Sequence, residues 1–246
     1  MRVPVDTIAA PLFPTKGPWV NANGPQATIQ RGRPLLVEFW DFCRPNSLRT
    51  LPYTKAWHER YGQDGLRVIG VHSPGFDPSR EEQAVRDAVT RLGISYPVLI
   101  DSELELWNEY ENLGWPARYL FDGRGRLFAY HYGEGAYRET ELAIQELLEL
   151  ELEPLSPVRP EDEPSARLLP QTADQPGAYS GAYEAGGVWA VLDGPGVLRV
   201  NGTELTVENA GAHQLIAHER HTQGVIELEC VGELCCLATC FTPGLA

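Results

Sequence analysis

No run of apolar residues in this chain approaches the ~20 that a membrane-spanning helix needs, so no membrane association is expected. Positive charge is in deficit. Twenty Lys and Arg stand against 34 Asp and Glu, a net charge of −14. That balance argues against nucleic acid or an anionic membrane as a partner, and its plainest consequence is solubility. Cysteine is scarce and odd in number. There are five, two of them adjacent at Cys235-Cys236, which is not the even, spaced pattern of a secreted disulfide framework. Met1 to Pro14 lacks the basic start and apolar run of a secretory signal. A cytoplasmic protein is the resulting expectation. What remains is ordinary for a globular chain: 246 residues, 43% hydrophobic and 22% charged, enough for two modest domains or one large one.

The chain is organised around Val37-Glu38-Phe39-Trp40-Asp41-Phe42-Cys43-Arg44-Pro45-Asn46-Ser47, read as a buried strand, a tight turn with one cysteine, and the start of a helix. Pro34 to Trp40 is continuously apolar except for Glu38, the pattern of a strand covered on both faces. A helix is expected from Pro45 to about Tyr61, kinked at Pro52 and ended by Gly62 and Gly65. Strands follow at Leu66–Ser73 and Tyr96–Ile100. Between them a helix starts at Ser79, with Glu82 three residues on as a capping box. Ser102 and Glu105 repeat that signal for a helix ending at Gly114. Arg118–Phe121 and Leu127–Tyr132 flank Asp122-Gly123-Arg124-Gly125 as a hairpin, and a last helix carries Tyr137, Thr140, Ile144, Leu147 and Leu148 on one side. Residues 1–33 read as an irregular Pro/Gly-rich arm with a short hairpin, in which Trp19, Val20 and Ile29 are the apolar positions.

Composition changes near residue 150. Residues 151–178 are rich in proline and acid and read as a linker. Residues 179–246 look all-β: short strands at 188–192, 197–200, 204–207, 212–218, 224–230 and 234–241, with turns at Asp193-Gly194, Asn201-Gly202 and Val231-Gly232. A small sandwich or jelly roll is expected there. Cys230, Cys235, Cys236, Cys240, His218 and His221 lack the spacing of a zinc knuckle, and His218-Glu219-Arg220-His221 lacks the His-x-x-x-His helical spacing of a zinc protease. No metal and no cofactor is expected.

The order strand–helix–strand, helix–strand, helix–proline–hairpin–helix over residues 15–150 resembles the thioredoxin fold of the TlpA/redoxin (AhpC-TSA) type. Val37-Glu38-Phe39-Trp40 resembles that family's Val-Asp-Phe-Trp, Trp115-Pro116 its cis-proline loop, and residues 79–100 the insertion that separates it from plain thioredoxin. Arg49-Thr50-Leu51-Pro52-Tyr53, Trp107-Asn108-Glu109-Tyr110 and Gly133-Glu134-Gly135 are similar to the subgroup at the C-terminal part of DipZ-type proteins, where a β-sandwich follows. The resemblance implies an α/β thioredoxin-like fold in residues 1–150, a mixed central sheet flanked by helices, and then a β-sandwich. It implies thiol–disulfide oxidoreductase relatives and places Glu38 at the family's buried, proton-relaying acid.

The departure from the family lies in the turn. Counting back from Pro52 puts Arg44 and Ser47 at the two cysteine positions; the other register takes Cys43-Arg44-Pro45-Asn46 as the motif, with Asn46 at the second. Either way at most one thiol stands where a reversible dithiol couple needs two. Cys43 is the candidate nucleophile, with the helix terminus and Arg44 favouring its thiolate; the bland alternative is a half-buried relict. Glu38 is the candidate acid. Arg44, Pro45, Asn46 and Ser47 form the loop, and Trp40, Trp115 and Pro116 the cleft beside it. Strand-end His72 fits the same cleft or a satisfied core position. Two functions stay open: a binding domain with weak or absent dithiol activity that keeps a peptide cleft, and a single-cysteine oxidoreductase or peroxidase using Cys43 with an external thiol. A protein thiol or peptide is the expected partner, with a small ligand for the β domain.

Overall fold

The six residues of β2, Leu35–Trp40, are all buried, as a central strand covered on both faces requires. The computed structural model describes residues 8–22 and 32–246. β2 pairs in parallel with β3 (Arg67–His72), which pairs in parallel with β4 (Val98–Ile100). On its other side β2 pairs antiparallel with β5 (Ala117–Phe121), and β5 with β6 (Leu127–Tyr132). β1 (Trp19–Val20) closes the far edge against β4, giving a mixed sheet of order β1-β4-β3-β2-β5-β6. Trp19 and Val20 form a strand of the main sheet, paired with β4; Ile29 and the short hairpin expected in this arm fall on residues outside those described.

Among the described residues four helices accompany the sheet: α1 (Pro45–Tyr61), α2 (Glu82–Arg91), α3 (Glu105–Glu109) and α4 (Tyr137–Leu148). Proline at the first position of α1 leaves no N–H unsatisfied there, and the helix continues through Pro52. Neither expected capping box forms. Ser79 lies in a 3-10 turn, Asp77–Arg80, where its Oγ donates to the Phe76 carbonyl (2.9 Å), and α2 starts only at Glu82. Leu104 precedes α3 in a left-handed conformation (φ 60°), and the Ser102 hydroxyl turns to the Arg80 carbonyl (2.8 Å). The capping oxygens of α3 come from Asp101 instead.

The chain divides between Val158 and Arg159, with Phe42–Pro45 grouping with the second unit. The stretch expected as a linker carries a 3-10 turn at Pro160–Asp162 and two short strands, β7 (Leu168–Leu169) and β8 (Gln175–Pro176). The second unit holds a six-stranded antiparallel sheet, order β11-β10-β12-β9-β13-β8. Its strands β9 (Ser180–Asp193), β10 (Gly196–Val200), β11 (Thr203–Val207) and β13 (Cys235–Thr242) are joined by β12 (Gly211–Val231). β14 (Gly244–Leu245) pairs with β7. The strands expected at 212–218 and 224–230 are one strand. The polar His218–His221 segment is accommodated as an irregularity between Ala217 and Thr222. Val188, Ala190, Leu192, Leu198, Ile226, Leu228 and Phe241 belong to the core of this unit.

Candidate functional site

The chain leaves β2 after Trp40, turns, and enters α1. Phe39 stands opposite Ala117 in the antiparallel register, so Pro116 and Trp115 come to the same end of the sheet as Trp40 and Asp41. The Trp115–Pro116 peptide is cis. Cys43 is fully buried, Pro45 is buried, Arg44 is half-buried and Asn46 is exposed. Ser47, which one register places at the second thiol, is fully buried, and its Oγ accepts the Asp41 N–H (3.2 Å).

Three buried groups at this end were not singled out from sequence as site residues: Asp41, Ser73 and Asp101. Asp41 Oδ2 accepts the Gly75 N–H (2.8 Å), and its Oδ1 lies 3.5 Å from His72 Nε2, both side chains being fully buried. His72 thus turns into the interior, with the Trp40 ring edge-on at 4.9 Å. Asp101, one residue past β4, accepts the N–H groups of Leu106 and Trp107 and the Ser73 hydroxyl, each at 3.0 Å. Ser73 in turn offers its carbonyl to Trp115 Nε1 (2.8 Å). The rings of Trp107 and Trp115 lie 4.2 Å apart, forming a half-buried aromatic platform next to Pro116. Trp40, grouped with that cleft from sequence, is a fully buried core side chain. Gly70 leaves room for it, since a Cβ there would lie 3.0 Å from Trp40 Nε1.

Glu38 is fully buried on the α1-facing side of β2, opposite Arg118 of β5. Burial pushes its carboxyl up to about 7, against the opposing pull of the Arg118 guanidinium. Tyr96 donates its hydroxyl to Glu38 Oε2 (3.4 Å). A carboxyl at that value exchanges protons near neutrality, which suits an acid–base role.

Two of the dispersed segments that carried the resemblance, residues 49–53 and 133–135, meet in space. Arg49 pairs with Glu134 (2.5 Å), Thr50 Oγ1 lies 3.1 Å from the Tyr137 hydroxyl, and the Tyr53 and Tyr137 rings stack at 3.8 Å. They fasten α1 to the segment joining β6 and α4. None of the five cysteines, all among the described residues, is in a disulfide. Burial pushes the thiols of Cys236 and Cys240 up to about 11 and about 12, so both stay protonated. His218 Nε2 engages the Tyr183 hydroxyl (3.0 Å) and His221 Nε2 lies 3.5 Å from Glu184. Among the described residues no group of three His, Cys, Asp or Glu is placed to hold a metal ion.

No family model matches the chain. The fold matches the crystal structure of the thioredoxin-like superfamily protein SPOA0173 with a TM-score of 0.53 at 20% identity, covering 58% of this chain and 97% of that one. A thioredoxin-like protein solved in solution in its oxidised form matches with a TM-score of 0.51 at 24% identity, with the same coverage. This chain carries a thioredoxin-like domain of the TlpA type. Protein DipZ of Mycobacterium tuberculosis (strain CDC 1551 / Oshkosh) is 34% identical over 197 residues, covering 74% of this chain. That share exceeds the 158 residues preceding Arg159, so the likeness continues beyond the thioredoxin-like domain into the second unit. The chain spans 28% of the length of DipZ. The thiol-disulfide oxidoreductase YkuV of Bacillus subtilis (strain 168) is 25% identical over 130 residues, covering 53% of this chain and 87% of YkuV. The thioredoxin-like domain is thus related to thiol-disulfide oxidoreductases.

Proposed function

We propose that the thioredoxin-like domain is a binding module derived from a thiol–disulfide oxidoreductase, in which the cleft beside Pro116 engages a protein or peptide partner while dithiol turnover is weak or absent. The observation that carries this reading is the turn itself. Cys43 is its one sulfur, fully buried, and Ser47 is already engaged as an acceptor for Asp41. A thiolate that attacks a partner disulfide forms a mixed disulfide, and a second thiolate must then attack to release the product. No neighbour in the turn supplies it. The Trp107–Trp115 platform offers a peptide aromatic contact area, and the second unit is read as a β-sandwich that takes a small ligand. A cytoplasmic setting belongs to the same proposal.

The near-neutral Glu38 carboxyl supports a second reading, in which Cys43 reacts and an external thiol completes the exchange. Insulin reduction by dithiothreitol separates the two. The binding reading expects the uncatalysed rate. A catalysed rate that disappears in Cys43→Ser overturns it in favour of the single-thiol enzyme.

A further inference from the structure

A cavity of about 390 Å³ opens between α4 and the β5–β6 side of the sheet. Leu36, Leu120, Ala129, Leu142 and Ala143 supply apolar wall, and Arg118 lines it as well. The size lies within the usual range for small-molecule sites, and an apolar wall with a few polar or charged groups, here Arg118, His131, Glu139 and Glu146, is their usual composition. Arg118 is 1% exposed. Its Nη2 donates to the Gly135 carbonyl, and its guanidinium lies over the rings of Tyr137 (5.0 Å) and Trp57 (5.6 Å). Among the described residues its Nε and Nη1 have no hydrogen-bond partner. A buried cation with unused donors is costly unless an anion meets it. Glu38 across the strands, Glu134 and Glu139 act on it through space, and none of them hydrogen-bonds its Nε or Nη1.

We infer that this cavity is a binding site for a small monocarboxylate with an apolar body, its carboxylate received by Arg118 and its body by the Leu36–Leu120–Ala129 wall. The planar guanidinium fork matches a carboxylate. Glu139 and Glu146, exposed where α4 borders the cavity, set the upper limit on charge by repelling a second carboxylate. The site is separate from Cys43 and does not depend on whether the turn is redox-active.

Calorimetric titration of the full chain tests this with 3-phenylpropionate, 3-phenylpropan-1-ol and phenylsuccinate. Saturable 3-phenylpropionate binding is expected, at least tenfold tighter than either of the others, and at least tenfold weaker in Ala129→Trp, which fills the cavity. Amide shifts at Ala129, His131 and Thr140, with none at Glu82–Arg91 on α2, locate the ligand without any variant. Absence of saturable binding, an alcohol bound as tightly as the acid, or shifts away from α4 and β6 overturn the site. Equal binding of phenylsuccinate overturns the selectivity for one carboxylate.

Discussion

The two faces of the mixed sheet are both covered, yet they bury different chemistry. On one face Leu35, Val37 and Phe39 join Ile69, Val71, Leu99, Leu106, Tyr110, Tyr119 and Phe121 in an apolar cluster. The other face takes the alternate residues Leu36, Glu38 and Trp40, and with them buried Arg118 and His72. Successive side chains of a strand point to opposite faces, so one strand serves both purposes without compromise. The first face holds the sheet together. The second places Glu38 and Arg118 where burial changes their proton affinity, raising the one and lowering the other. Concentrating the charged groups on one face leaves the other free to pack as hydrocarbon and aromatic ring.

The largest test of this contrast is Phe39→Ala. Its ring is fully buried and meets Tyr110 at 5.0 Å, Tyr119 at 5.8 Å and Trp107 at 6.0 Å. Truncation is expected to cost about 3–5 kcal/mol, with no pH dependence, in urea unfolding. A loss below about 1 kcal/mol would mean that this face is not the one that secures the sheet.

Glu38→Gln probes the other face. The folded carboxyl titrates at about 7 against an ordinary 4.5, so the folded state keeps its proton where the unfolded chain has released it. The stability linked to that proton is complete below pH 4.5 and is lost as pH rises through 7. A displacement of this size corresponds to roughly 3 kcal/mol. The variant lacks the titration, so its stability relative to the parent should climb by up to that amount between about pH 4.5 and about pH 8. Parallel curves for the two proteins would refute the shifted carboxyl.

The smallest effect belongs to neither face. Glu82 and Arg86 pair at 2.6 Å on the exposed side of α2. Glu82→Ala is expected to cost only about 0.3–0.5 kcal/mol, less in high salt, and so marks the scale against which the buried changes are read.

Much of this architecture was legible in the residues. The uninterrupted apolar run of β2, the hairpin signals around Asp122-Gly123 and the helical stripe of α4 are local patterns, and local patterns persist in the fold. Glu38 stood out as one acid in an apolar strand. Its partner did not, because the Glu38–Arg118 pairing depends on a register between strands 80 positions apart. Asp101 was overshadowed by Ser102 and Glu105, which fit a capping box until the left-handed Leu104 rotates them away. Trp107 read as one more apolar helix position, and only the ring of Trp115 gives it a second role. The polar His218–His221 segment interrupted the alternation that would have marked β12 as a single strand.

Asp101 stands at the root of the aromatic platform beside Pro116. One carboxylate holds the end of β3 through Ser73 and the start of α3 through two N–H groups, and Ser73 holds the Trp115 indole. The aromatic platform beside Pro116 is therefore preorganised by the sheet and has little freedom left to lose. Anything that docks there loses mainly its own disorder, so stiffening the visitor, by cyclisation or a proline, should raise affinity more than any added flexibility in the receiving surface.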